Sequence, residues 1–308
     1  MISWLVAGIG DISSKRVLPA ILSEPRSRLA GIVTRDPRKA EPFGVPSWQD
    51  FDLALSRCDA TAVYIATPVF LHAPQTIAAL RAGRHVLCEK PMSLDYAQAA
   101  AMAATARECE CTLGIAYYRR MYPKVERARR LLAEGAIGRP VFAEATSHDH
   151  FNPLGTTRAW LADPALAGAG PLRDIASHRI DLFNYLFGEP ARVSAHVSTL
   201  VHPFAVEDNA TVMIEYHSGV RGVVDVRWHA RPARDEFRIR GTEGELDLTP
   251  LNAPGLALPA GSESHPAPAN LHYPCVEDFV SALLEGRAPR SSGETALAAE
   301  WVMEQSLK

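Results

Sequence analysis

Short stretches that are apolar almost throughout, spaced by longer amphipathic ones, set the first constraint on this chain. Residues 2–7, 29–33, 61–66, 85–88 and 112–117 read as strands, and residues 17–22, 72–81 and 94–109 between them carry the helical period. A strand of alternating polarity can face water on one side, but one that is apolar throughout needs cover on both. Strands and helices that alternate in this way build βαβ units around a parallel sheet.

The pattern changes after Tyr118. Residues 123–134 and 172–187 read as helices that stop at Gly135 and Gly188. Strands are expected over 141–146, 191–201, 210–216, 220–228, 236–240 and 245–248, with Ser218-Gly219 as a hairpin signal. Residues 252–270, rich in Pro, Ala, Gly and Ser, read as a loop, and 276–284 and 295–307 as closing helices. A chain of 308 residues exceeds what one core usually covers. The expectation is an α/β protein of two domains, 1–119 with the parallel sheet and 120–308 with a mainly antiparallel α+β fold.

Bulk properties narrow the class. Hydrophobic residues make up 47%, charged residues 22%, and the net charge is -3. No basic stripe points to nucleic acid or to an anionic membrane surface. No run reaches the roughly 18 apolar residues of a membrane helix. Met1–Val6 lacks the charged region and cleavage site of a signal peptide. Cys58, Cys88, Cys109, Cys111 and Cys275 are scattered unlike a disulfide framework and read as reduced, buried thiols, which fits a cytoplasmic protein.

Four constellations carry chemistry. Gly8-Ile9-Gly10-Asp11-Ile12-Ser13 follows a strand and opens a helix, the context a dinucleotide-binding loop requires. There Gly8 permits the tight turn, Gly10 lets backbone approach a pyrophosphate, and Ser13 is small enough for close packing. Thr34-Arg35-Asp36 ends the second strand, where an acidic side chain would hold a ribose 2′-OH and an Arg would accept a 2′-phosphate. Thr34 and Arg35 favour NADP(H), with NAD(H) the other option. Asp36 either caps the next helix with Pro37 or reaches the ribose, and Arg38 and Lys39 read as a solvated face. Cys88-Glu89-Lys90-Pro91 lies at a strand's C-terminal end, where ligands bind in open α/β sheets. Finally, Asp174, His178 and Asp181 share one face of a helix. A His beside a carboxylate exchanges protons near neutral pH, whereas Asp181 reads as a structural acceptor. A metal site at His148, Asp149 and His150 lacks compact ligand spacing, so none is expected.

Together these residues resemble the Gfo/Idh/MocA oxidoreductases over nearly the whole chain. The run from Ala66-Thr67-Pro68 through Leu71-His72 and Ala82-Gly83 to Glu89-Lys90-Pro91 is the most characteristic part. Gly138-Arg139-Pro140, the Asp174–His178–Asp181 helix and Gly241-Thr242-Glu243-Gly244 follow in the expected order. The resemblance implies an N-terminal Rossmann domain and a C-terminal domain with a large open sheet. It adds Thr67, Pro68, His72 and Glu89 to the cofactor site, and it implies that Lys90 touches substrate and nicotinamide while Asp174 and His178 bind substrate, His178 as acid/base. Val69 and Ala176 depart from the residues usual at their positions. The implied activity is hydride transfer between a nicotinamide cofactor and a sugar, cyclitol, dihydrodiol or related carbonyl compound.

The open sheet implies a homodimer or homotetramer, and Trp228, on a strand whose outer face has no evident covering helix, is expected at that interface. Two rival readings remain open at this point: an NAD-dependent glycoside hydrolase on the same fold, and a non-catalytic dinucleotide-binding regulator. A regulator would need neither Lys90 nor His178.

Overall fold

The apolar runs of the first half do form strands. A computed structural model describes residues 1–308. Its first elements are β1 (Ile2–Ala7), α1 (Leu18–Ser23), β2 (Ser27–Val33), β3 (Ser47–Trp48), α2 (Phe51–Arg57), β4 (Ala62–Ile65), α3 (His72–Arg81), β5 (His85–Cys88), α4 (Tyr96–Glu108) and β6 (Leu113–Ile115). The strands pair in parallel in the order β3-β2-β1-β4-β5-β6. Chain order reverses beside β1, so the crevice past the C-terminal ends of β1 and β4 is the switch point where such sheets take ligands. Every residue of β1 is buried, as two-sided cover demands. Strand β3 and helix α2 carry too little periodicity to be anticipated; Asp50 starts α2 by accepting the Leu53 N–H at 2.7 Å.

The second series comprises α5 (Pro123–Ala133), β7 (Pro140–His150), α6 (Pro164–Ala167), α7 (Ser177–Phe187), β8 (Pro190–Ser198), β9 (Asn209–Tyr216), β10 (Arg221–Arg227), β11 (His229–Gly241), β12 (Glu245–Asp247), β13 (Gly255–Leu258) and β14 (Gly261–Ser264). Its eight strands order as β14-β13-β12-β11-β7-β10-β9-β8. Only β7 and β10 run parallel; the other pairs are antiparallel. One face packs on α7, where the rings of Phe183 and Phe237 lie 5.2 Å apart. Gly222 makes room there, since a Cβ would come within 2.8 Å of the Phe183 ring.

The opposite face is polar rather than apolar. Arg240 pairs with Glu144 at 2.8 Å, Arg238 with Asp247 at 3.0 Å, and Arg227 with Asp225 at 2.9 Å. Trp228 does not belong to it. It is fully buried among Leu161, Phe204 and Val206, because it continues the inward parity of Val224 and Val226. The segment 252–270 also departs from a plain loop by forming the β13–β14 hairpin. Its start is gripped from afar: the buried Lys124 ammonium donates to the carbonyls of Leu248, Pro250 and Gly255, and burial lowers its pKa to about 8.

The chain then returns to its beginning. Helices α8 (Tyr273–Glu285) and α9 (Gly293–Ser306) complete the fold. One compact unit is Met1–Tyr118 with Pro268–Leu297, and the other is Arg119–Ala267 with Ala298–Lys308. Phe279 of α8 packs on Trp4 with ring centroids 5.6 Å apart, and Asn270 donates to the Arg16 carbonyl at 2.8 Å. All five cysteines are unbridged, with Cys109 and Cys111 only partly buried. No helix is long and apolar enough to cross a membrane.

The connection between β8 and β9 is organised by Asp208. Its carboxylate accepts the N–H groups of Leu200, Val201 and His202 at 2.8–2.9 Å. Burial opposes its ionisation, but these donors and the Asn209 amide bring its pKa down to about 2. A carboxylate with a depressed folded pKa stabilises the fold above the unfolded value near 4 and ceases to do so as pH falls through about 2. Asp208→Asn should therefore lose about 2 kcal/mol at pH 7 in urea unfolding, and the difference from wild type should vanish near pH 2.

Candidate active site

At the end of β1 the backbone turns at Gly8 with φ of +94°. A Cβ there would stand 2.7 Å from the Ala66 carbonyl oxygen, so β4 leaves no room for a side chain. Gly10 has nothing within 4 Å of the Cβ position, and no packing demand explains it; open space over bare backbone fits a pyrophosphate. Ser13 is buried and donates to the Gly8 carbonyl at 2.7 Å, which ties the helix start to the turn. Asp11 and Ile12 are exposed at this start, Asp11 paired with Lys15. The next turn is wide, with the Leu18 N–H reaching the Ser13 carbonyl five residues back.

Beyond β2, Asp36 behaves as a cap. It accepts the Arg38 N–H at 3.2 Å and pairs with the Arg38 guanidinium at 2.9 Å; that guanidinium lowers its pKa. Thr34 is buried and Arg35 is exposed. Lys39 does more than decorate a solvated face: its ammonium lies 3.4 Å from the Ile9 carbonyl, over the glycine loop.

The ends of β4 and β5 are joined by His72. One ring nitrogen bonds the Thr67 carbonyl and the other the Pro91 carbonyl, each at 2.8 Å. Burial lowers the His72 pKa, while the two carbonyls, each an acceptor that calls for an N–H on the ring, oppose that shift. Thr67 donates to Gln75 at 2.8 Å, and Pro68 precedes the turn into α3. Glu89 is buried and accepts from the Tyr64 hydroxyl at 2.8 Å and from His272 at 3.0 Å. Burial opposes its ionisation, but His272, Tyr64 and Lys90 hold it below the ordinary carboxylate range. Lys90, the next residue, is partly exposed at the strand's end. His272, whose ring lies 4.5 Å from that of Tyr118 at a 33° tilt, was not singled out by the sequence, having no motif around it.

In the second unit a continuous helical stretch covers 172–187, opening with another five-residue turn from the Ser177 N–H to the Leu172 carbonyl. Such wide turns recur at functional sites because they re-aim side chains. Asp174 and His178 lie one turn apart, the first partly and the second almost fully buried. Polar contacts pin this stretch along its length. Glu207 accepts the N–H groups of Gly170 at 2.7 Å and Leu172 at 2.9 Å. Arg173 meets Glu300 at 2.8 Å, Arg179 meets Asp235 at 3.0 Å, and Asp181 meets Arg120 at 2.5 Å. Asp181 is thus structural. Glu207, Glu300 and Arg120 were missed because each is remote in sequence from what it holds. No three His, Cys, Asp or Glu side chains are grouped to hold a metal.

Such a glycine turn at the switch point of a parallel sheet is the mark of a dinucleotide-binding fold. Residues 2–117 match the family described as "Oxidoreductase family, NAD-binding Rossmann fold" and residues 125–247 its "GFO/IDH/MocA C-terminal domain". The chain belongs to the Gfo/Idh/MocA oxidoreductase family. It is 32% identical to the 1,5-anhydro-D-fructose reductase of Ensifer adhaerens, over 94% of this chain and 91% of that protein. It is 29% identical to "D-xylose 1-dehydrogenase (NADP(+)) 2" of Haloferax volcanii, over 80% of this chain and 75% of that one. The structure of a levoglucosan dehydrogenase in complex with NADH and levoglucosan superposes with a TM-score of 0.90 at 25% identity, covering 99% of this chain and 96% of that one.

The Glu207 contact is open to direct measurement. Glu207→Gln keeps one acceptor oxygen and turns an NH₂ toward the second N–H. It should cost about 1–2 kcal/mol in urea unfolding and speed amide hydrogen exchange at residues 170–176. Unchanged exchange there would show that the carboxylate does not hold the helix start.

Proposed function

We propose that this protein is an NADP(H)-preferring sugar dehydrogenase or reductase of the reducing cytoplasm, with residues 1–119 supplying most of the dinucleotide site and 120–308 most of the substrate site. The observation that carries the reading is the pinned helix that presents Asp174 and His178 one turn apart, in a chain whose first unit has a glycine turn that cannot accept a side chain. When bound, the nicotinamide supplies or accepts the hydride. Gly8, Gly10, Asp11, Ile12 and Ser13 hold the pyrophosphate at backbone and helix start. Thr67, Pro68 and Glu89 shape the neighbouring strand ends, which His72 locks together. Lys90 donates from Nζ to the substrate oxygen and favours negative charge there. His178 takes the hydroxyl proton during oxidation and returns it during reduction, and Asp174 accepts from a substrate hydroxyl.

Proton transfer by a positioned group contributes ~10²–10⁴-fold. A panel of aldoses, anhydrosugars and inositols, read at the reduced-nicotinamide absorbance, should reveal a sugar substrate. His178→Ala and Lys90→Ala should each lose kcat on it by about that factor while keeping cofactor affinity. Near-wild-type turnover by His178→Ala would remove it from the mechanism, and a panel without turnover would remove the function.

The cofactor preference rests on Thr34, Arg35 and Lys39. Thr34 presents no carboxylate to repel a 2′-phosphate, Asp36 is occupied by Arg38, and Arg35 and Lys39 supply cations. One good phosphate contact is worth roughly ten- to hundredfold in affinity. NADPH should bind that much more tightly than NADH. Arg35→Ala or Lys39→Ala should erase most of the preference, and equal dissociation constants in wild type would refute it.

The same reading includes a homodimer or homotetramer joined through the outer face of the eight-stranded sheet. Because that face carries charge ladders, association should weaken as salt rises. Sedimentation at micromolar concentration tests this, and a monomer at low salt is the contrary result.

A further inference from the structure

Between β7 and α6 the chain crosses the second unit as an irregular segment with well-defined anchors. Phe151 meets the buried Trp228 edge-on, ring centroids 5.2 Å apart at 71°. Leu161 is buried in the same cluster, and Trp160 and Ala162 pack against it. Between these anchors stands Arg158. Its N–H is held by the Thr156 hydroxyl at 3.0 Å, its guanidinium lies 4.9 Å over the Phe151 ring, and its Nη2 donates to Asp174 Oδ2 at 2.8 Å. The Arg158 side chain is 44% exposed and that of Asp174 16%.

Phe151 and Asp174 thus hold the guanidinium in one orientation while 44% of the side chain stays exposed. An Arg carries five N–H donors in a rigid fork, and the hydrogen bond to Asp174 is the only one its side chain makes within the chain. A sugar hydroxyl both donates and accepts. A planar donor fixed beside a carboxylate acceptor therefore matches two adjacent hydroxyls, one accepting from Arg158 and its neighbour donating to Asp174. Arg158 and Asp174 carry opposite charges. A carboxylate or phosphate on the substrate would gain attraction from Arg158 and meet comparable repulsion from Asp174.

We infer that Arg158 is a specificity-determining residue which, with Asp174, clamps a vicinal diol of an uncharged sugar next to His178. The inference rests on the sugar-oxidoreductase reading and names the substrate class of that site.

The test compares wild type, Arg158→Met and Arg158→Lys on the best sugar of the panel, its monodeoxy analogues and the corresponding uronate. In wild type, loss of either hydroxyl of one adjacent pair should lower kcat/KM roughly ten- to hundredfold, and the uronate should be no better than the neutral sugar. Arg158→Met should raise KM by a similar factor, change kcat less than about threefold, and lose the discrimination against the deoxy analogue. Arg158→Lys, a point charge without the fork, should recover only part of it. Undiminished deoxy discrimination in Arg158→Met, or preference of wild type for the uronate, overturns the clamp. If no sugar is turned over, the oxidoreductase reading falls separately. Calorimetric titration of wild type and Arg158→Met with D-xylose and levoglucosan, NADPH present, then decides the clamp: tighter binding to wild type supports it, and equal or absent binding refutes it.

Discussion

Arg173 and Glu300 meet at 2.8 Å with side chains 1% and 0% exposed. Removing two charges from water costs several kcal/mol per ion, and their attraction repays it only in good geometry. Such a pair adds little to stability over an apolar replacement, but a partner left alone would be costly by about 3–5 kcal/mol. One helix carries this pair together with Asp181–Arg120 and Arg179–Asp235, so it cannot slide or rotate without exposing an unpaired charge to a dry interior. Asp174 and His178 ride on that helix, and their placement follows from the charges around them more than from apolar packing, which tolerates small shifts.

What the sequence discloses, and what it withholds, divides by distance along the chain. The bounds of α3 and β5 agree with their periodicity, and Asp36 and Ser13 act on groups within a few residues of themselves. Glu207 acts across 37 residues, Arg173 across 127 and His272 across 183. No local pattern marks such partners. Trp228 shows the intermediate case. Alternation places it on one face of a sheet, but which face is covered depends on α7, a different stretch of chain. Lys39 looked like solvated surface because a helix-face reading has no term for a neighbouring loop. The 252–270 segment has loop composition, and its hairpin owes its start to Lys124, more than a hundred residues earlier.

A comparable division holds within the candidate site itself. The glycine turn is legible because Gly8 answers to the Ala66 carbonyl just past β4 with no alternative residue fitting. Arg158 is not, since an Arg in a polar segment has no signature until the ring beneath it and the carboxylate beside it are in place.

The return of residues 268–297 to the first unit has a consequence for synthesis. Trp4 leaves the ribosome 275 residues before its ring partner Phe279. At elongation rates of about 5–20 residues per second the interval is roughly 14–55 seconds. Throughout it the nascent parallel sheet lacks the helix that covers part of one face, and the whole antiparallel sheet is made meanwhile. A chaperone that shields apolar surface during translation would thus find a target in residues 1–118 until residues 268–297 are made.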